Sequence, residues 1–507
     1  MPIAKPADGC YWTRTATDRP FPTLTGPLEV DVAVIGGGIV GVMAARLLKD
    51  RGQRVAVIEA CEVGRGVTGR STAKVTAQHA LFLSRIEDRH GKEAARCYAE
   101  ANRAGVALIA ELVARHGIAC AFEPAPAIVY ATTDDGAERI RAEAEAARRA
   151  GLAMQLAEDA GLPYPVTAAL RLDGQYSFHP VHFVAGLAAT IPGDGSHVFE
   201  QTRVTSWDDT GVETARGRIS ARRVIMATHL PLGQVGQFHA HNAPHMHAII
   251  AARVDRASAP QVMAISADEP KRSVRSHRDP DGAAMLIATG PTFKHGDADA
   301  EVKAFADLEA FAAEHFGAGE PVFRWTNEDY TPRDGLPYVG WSGSNGDSPL
   351  VATGFDAWGI SNGAAAAAIL ADLATGRDNA WAATFDASRH SAKGLGTMVA
   401  EGLEVAKDLV GGHLAPHSGN AREIKPGKAA IVEIAGRATG IYRDESGRPH
   451  AVSAVCTHMG CLLGWNPVDR SWDCSCHGSR FATDGAVLHG PAIEPLEAVR
   501  IEQEEPA

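Results

Sequence analysis

Two short boxes near the end of the chain constrain its fold most: Cys456-Thr-His458-Met-Gly-Cys461, then Cys474-Ser-Cys476-His477-Gly-Ser479. Their spacing is C-x-H-x15-C-x2-H, with one further cysteine in each box. Two thiolates and two imidazoles from two tight loops suit a [2Fe–2S] cluster with sulfur ligands on one iron and nitrogen ligands on the other. A zinc ion accepts the same donor types, and a disulfide staple would also use paired cysteines. The alternating Cys/His order and the later Gly490-Pro491-Ala492 favour the cluster.

These boxes resemble the Rieske iron–sulfur proteins, including the subunit of the respiratory cytochrome bc complex. The resemblance implies that Cys456, His458, Cys474 and His477 ligate the cluster. It implies that Cys461 and Cys476 form a disulfide joining the two loops, and that Gly490–Ala492 is a third covering loop. It also matches Ser479 to a residue that supplies a hydrogen bond to the cluster. Phe481 stands where the respiratory proteins carry a tyrosine that supplies another.

A second motif stands near the start of the chain. Val30 to Ile35 reads as a buried strand, followed by Gly36-Gly-Gly38-Ile39-Val-Gly41 and a helix that Gly52 ends. Arg54 to Ile58 is a second strand closed by Glu59. This is the βαβ dinucleotide fingerprint. Gly36 makes the turn, Gly38 admits the pyrophosphate, Gly41 lets helix and strand approach, and Glu59 accepts from ribose hydroxyls.

The segment after the second strand decides between nucleotides. Residues 64–79 are a long polar Gly/Ser/Thr stretch where a plain NAD domain would enter its crossover helix. Further on come Asp329-Tyr330-Thr-Pro-Arg333-Asp334-Gly-Leu-Pro-Tyr338-Val-Gly340 and Gly354-Phe-Asp-Ala-Trp358-Gly359-Ile360. Together these resemble the D-amino-acid oxidase and glycine oxidase (DAO) superfamily, here joined to a C-terminal Rieske domain. The resemblance implies FAD held by Arg65, Gly66, Ser71, Thr72, Lys74, Val204, Ala227, Thr228, Gly354, Trp358, Gly359 and Ile360, besides Gly36, Gly38, Ile39, Gly41 and Glu59. Tyr176, His179, Tyr330 and Arg333 are the candidates beside the substrate.

The fold expected is an α/β, Rossmann-type FAD domain with an inserted antiparallel-sheet substrate domain, plus a small all-β Rieske domain. The flavoprotein part would span 1–412, with FAD segments near 28–80, 176–230 and 327–376 and substrate segments near 81–175 and 231–326. The Rieske part would span 416–507. Strands are expected over Val198–Val204 and Val224–Thr228. His239, His241, His245 and His247 are expected to alternate on one face of a strand beside the substrate cavity, a metal there being the lesser reading.

With 507 residues, two or three domains are expected. The net charge of −12 disfavours nucleic acid and acidic membrane surfaces. No apolar run is long enough for a transmembrane helix, and no secretory or twin-arginine leader is visible, so the expected location is cytoplasmic. Cys10, Cys61, Cys97 and Cys120 are scattered and read as free thiols.

The resemblance implies an FAD-dependent dehydrogenase acting on a small amine or amino acid. Its electrons would leave one at a time through the cluster to an external acceptor. Three other readings stand beside it. A Rieske oxygenase would need an iron held by two histidines and a carboxylate, for which no sequence motif is evident. A flavin reductase would need a second nucleotide fingerprint. A bare electron carrier or redox sensor would not need a substrate domain.

Overall fold

The computed structural model describes residues 9–279, 281–343, 349–389 and 421–501. The expected junction between 412 and 416 lies outside them. Four apolar residues in a row, Val55–Ile58, make a strand buried on both faces beside Leu28–Ile35. The helix Ile39–Asp50 packs across them and gives way at Arg51 to Gly52, at φ +78°. These strands run parallel in a sheet completed by His197–Phe199, Gly217–Met226, Leu350–Thr353, Tyr338–Trp341 and the hairpin Val204–Asp208/Gly211–Thr214. Parallel central strands buried by helices are the α/β layout.

The strand expected over Val198–Val204 is two strands. Glu200 accepts the backbone N–H groups of Phe21 and Val63, and Gln201 takes φ +49°, so the chain turns before Val204. The final strand ends at Met226, leaving Ala227 and Thr228 in the loop at its C-terminal end.

The second sheet has eight strands, in the order Phe323–Pro332, Asn242–Val254, Ala284–Phe293, Ser273–Arg278, Met263–Ser266, Ala127–Ala131, Ala168–Leu172 and Gln155–Ala157. All neighbours are antiparallel except Met263–Ser266 beside Ala127–Ala131. Residues 327–332, assigned by sequence to an FAD segment, belong to this sheet, because Phe323–Pro332 pairs continuously with Asn242–Val254. The four clustered histidines divide. His239 and His241 lie in the short helix Phe238–His241, and only His245 and His247 share a strand face. Asn242 marks the change: its side-chain amide donates to Phe238 O, and its backbone starts the strand.

The C-terminal region holds a three-stranded sheet (Ala429–Ile434, Arg437–Arg443, Pro449–Ser453) and a four-stranded one (Leu463–Asn466, Ser471–Cys474, Arg480–Phe481, Val487–His489). Trp472 and Phe481 fill its core with no exposed surface. Among the described residues, no helix is long and apolar enough to cross a membrane.

The C-terminal region is docked on the rest of the chain. A Cβ on Gly464 would lie 2.2 Å from Gly296 O, so the two backbones touch with no room for a side chain. Beside that contact, Asp469 pairs with Arg70 and, at 2.8 Å, with Arg480, and accepts the Thr326 hydroxyl at 2.6 Å. Burial would raise the Asp469 pKa, but the two guanidinium groups hold it down at about 2.

Glu301, buried against this network, behaves oppositely. Burial, then the nearby Asp469 and Asp473 carboxylates, push it up to about 9. Its folded form keeps a proton that an unfolded glutamate releases near pH ~4.3. Stability therefore falls as pH rises from about 4 to about 9 and levels off above. Glu301→Gln keeps an acceptor for Val468 N–H, 3.3 Å away, and removes the charge. Denaturant midpoints of variant and wild type should coincide near pH 4 and separate in the variant's favour by pH 8. Parallel midpoints across that range would contradict the assignment.

Candidate functional site

The strand–turn–helix at Gly36–Gly41 brings backbone close to backbone. A Cβ on Gly41 would meet Gly36 O at 2.0 Å, and one on Gly36 would meet Ala227 O at 2.4 Å. Glu59 accepts from Gly37 N at 2.7 Å and from Cys61 N at 2.8 Å, which fixes its carboxylate beside the turn. From here a cavity of about 1290 Å³ runs between the two sheets. It exceeds the roughly 300–1,000 Å³ of a single small-ligand pocket, leaving room for a dinucleotide and a substrate.

Gly36, Gly38, Ile39, Glu59, Arg65, Gly66, Ser71, Thr72, Lys74, Val204, Ala227, Thr228, Trp358, Gly359 and Ile360 all line this cavity. Gly41 lies behind the turn it permits, and Gly354 lies behind the wall, where its absent Cβ leaves space for Asn242. The segments 28–80, 204–228 and 350–360 thus converge on one cavity.

The four residues expected at the substrate do not line it. Tyr176 sits in the Tyr176–Ser177 strand with its ring stacked on Phe122 at 4.4 Å. His179 caps the helix Pro180–Ala188, faces the Thr15 hydroxyl at 3.1 Å, and stacks on His182. Arg333 donates to Ala240 O at 2.6 Å. Tyr330 donates to His477 O at 3.1 Å. Each is held by local structure that a one-dimensional motif does not show.

From the antiparallel sheet and its connections, His245, His247, Lys271, Arg272, Asn327 and Asp329 line the same cavity. Lys74 also lines this cavity and contacts the Ser273 hydroxyl. Burial, with the Arg275 guanidinium nearby, lowers its ammonium to about 7. The alternation of His245 and His247 was a usable signal. The place of Lys271 and Arg272 on the cavity wall was not, because surface and cavity cations look alike in sequence.

In the C-terminal region Cys461 and Cys476 form a disulfide, as the resemblance implied. Cys456 and Cys474 are buried and unbridged. The His458 and His477 rings lie 5.1 Å apart, and His477 Nδ1 is buried without a hydrogen-bond partner. Two thiols in contact and two neighbouring imidazoles with ring nitrogens left unsatisfied are the donor set of a [2Fe–2S] cluster. The third loop covers them: Ala492 N donates to the Ser479 hydroxyl at 3.1 Å, and that hydroxyl bonds the Cys456 sulfur.

Phe481 lies in the core and supplies no donor. Hydrogen bonds to the sulfurs raise a cluster's potential. Phe481→Tyr should therefore raise it, on the order of tens of millivolts within the Rieske range. Redox titration of the full chain reads this, and an unchanged potential would count against it.

The two sites share a wall. Asp469, Arg470, Arg480, Leu488, His489, Gly490, Ala492 and Ile493 line the same cavity as the glycine turn. Gly233 N donates to Pro491 O at 3.0 Å, and Arg203 to Val487 O at 2.8 Å. The His239 ring stands 5.1 Å from that of His458 and 5.0 Å from that of His477, so the histidine edge of the cluster site faces the flavin-side domain.

Comparison with known proteins agrees. Residues 31–373 match the FAD dependent oxidoreductase (DAO) family, and residues 417–500 match the Rieske [2Fe-2S] domain. The chain is 34% identical over 506 residues to a Bacillus subtilis protein, YhfW, named for a Rieske 2Fe-2S iron-sulfur centre, with 99% of each covered. It is 30% identical over 233 residues to gamma-glutamylputrescine oxidoreductase of Escherichia coli, covering 44% of this chain and 54% of that one. The fold of glycine oxidase from Geobacillus kaustophilus superposes with a TM-score of 0.58 at 22% identity, over 72% of this chain and 100% of that one. The chain belongs to the DAO family of FAD-dependent oxidoreductases and ends in a Rieske domain, with FAD and a [2Fe–2S] cluster as its cofactors.

Proposed function

We propose that this protein dehydrogenates a small amine or amino-acid-like substrate and delivers the electrons, through its Rieske cluster, to an external one-electron acceptor. The observation that carries this reading is the shared wall: residues of the Rieske domain close the cavity that the glycine turn opens. FAD supplies two-electron chemistry and the cluster one-electron chemistry when bound. The relatives' names, glycine oxidase and gamma-glutamylputrescine oxidoreductase, support an amine-type substrate. The proposed division is 1–412 and 416–507. Cys456, His458, Cys474 and His477 are the proposed cluster ligands, and the cavity-lining residues named above are the proposed FAD contacts.

The chain's own residues have distinct tasks in this reading. Lys271, which lines the cavity and whose Nζ is 4.0 Å from Glu269, attracts a carboxylate or other anionic group on the substrate, while the neighbouring Arg272 is committed to Asp307 at 2.8 Å. Lys74, held near 7, is partly uncharged at neutral pH and accepts a proton from the substrate ammonium, which must be neutral to be oxidised. Activity should then rise with pH through about 7 as Lys74 loses its proton. Lys74→Met should lower kcat/KM by about 10²–10⁴-fold and remove that limb of the profile. A variant that keeps the limb would move the base elsewhere.

An anaerobic screen of amines and amino acids tests the function as a whole. A true substrate bleaches the flavin absorbance and then produces the reduced-cluster EPR signal. If no amine or amino acid bleaches it while NADH or NADPH does, the protein is a reductase instead.

A further inference from the structure

Three side chains that neither redox site uses meet at the seam between the domains. His229 follows the Ala227-Thr228 loop, Glu328 lies in the strand Phe323–Pro332, and His489 ends the strand Val487–His489. His489 Nδ1 is 2.7 Å from Glu328 Oε1, and His229 Nδ1 is 3.8 Å from the same oxygen. One donor atom from each of the three lies within 4.8 Å of the others, and all three residues line the cavity.

Hydrogen bonding is unfinished here. Glu328 is 2% exposed, and its Oε2 has no hydrogen-bond partner; nor has His229 Nδ1. A buried carboxylate oxygen without a partner is costly. The other ring nitrogen of His229 is turned to Asp329 Oδ1, 3.7 Å away. Carboxylates placed behind a histidine in this way orient metal-bound imidazoles. Metal–ligand bonds of about 2.0–2.2 Å put neighbouring donors about 2.8–3.6 Å apart, from octahedral to tetrahedral angles, between the two separations seen here. Gly490 O, 3.0 Å from His489 Nδ1, is an oxygen on the same side.

We propose that His229, Glu328 and His489 form a binding site for one first-row divalent cation. Two imidazoles and one carboxylate, with further positions open to a cavity, suit Fe(II) or Zn(II). The ligands come from both domains, so the site is complete only when the Rieske domain is docked. The ion would take the place of the imidazole protons that face Glu328 and satisfy the free oxygen and nitrogen together. It would also fasten the covering loop next to Gly490 onto the flavin-side domain. No sequence motif announces this set, because its members are more than 90 residues apart.

The experiment is calorimetric titration of the holoprotein with Zn(II), after dialysis against a mild chelator, alongside metal analysis. The expected result is one divalent ion per chain beyond the cluster irons. Glu328→Gln and His489→Gln should each weaken binding at least about tenfold. Flavin absorbance and the cluster EPR signal show whether each variant is folded, and either one alone gives the reading if the other fails to fold. Absence of stoichiometric binding to wild type overturns the proposal, and the trio is then an ion-paired clamp. Binding that both variants leave unchanged also overturns it, because the ion then sits elsewhere.

Discussion

Cys456→Ser protein should retain FAD and be bleached by substrate, yet lose its cluster and its turnover with one-electron acceptors. Thiolate suits the soft cluster iron far better than a hydroxyl does, and Cys456 is buried. The nucleotide end of the cavity lies in other segments of the chain and should stay intact. Turnover with protein or dye acceptors should fall by ~10²-fold or more, the scale of loss when a reacting group is misplaced. Iron and sulfide analysis, the EPR signal and anaerobic bleaching separate the two effects. Normal turnover with every acceptor tried would remove the cluster from the electron route and favour a structural or sensing role.

Gly41→Ala should do the converse: release FAD and spare the cluster. The added methyl would overlap Gly36 O at 2.0 Å, and both partners are backbone, so helix and turn must separate. Overpacking of this kind costs about 1–3 kcal/mol or more, which is about five- to 150-fold in FAD retention if the strain falls on the nucleotide turn. Gly52→Ala is the control. Gly52, unlike Gly41, has a positive φ, but nothing lies within 4 Å of its missing Cβ. It should cost stability of about 1 kcal/mol and leave FAD bound. Equal FAD loss in both variants would mean that general destabilisation, not the turn, sets retention.

The cofactor sites were legible because they are local. Gly36 to Glu59 is one unbroken strand–turn–helix–strand, and each cluster box carries its Cys and His within four residues. The substrate end was not, because it is assembled at long range. Tyr330 and Arg333 belong to a motif read as catalytic, yet Tyr330 spends its hydroxyl on His477 O and Arg333 reaches Ala240 O. Strand alternation reports which residues share a face, not which face meets a cavity. That rule fitted His245 and His247, and it failed for His239 and His241, where a short helix precedes the strand. The domain seam left no trace in composition. Arg70 and Asp469 are 399 residues apart and look like ordinary surface charges until the fold buries them together.

The close seating of Gly464 on Gly296 bears on how the protein responds to dilution. Separate redox partners must find each other by diffusion, so their exchange slows in proportion as both are thinned. A partner tethered on the same chain and already seated has an effective concentration set by geometry, commonly millimolar or above. Under the proposed function, transfer from flavin to cluster is then a first-order event, the same in a crowded cell and a dilute cuvette. Only the final step, to the external acceptor, keeps a dependence on concentration.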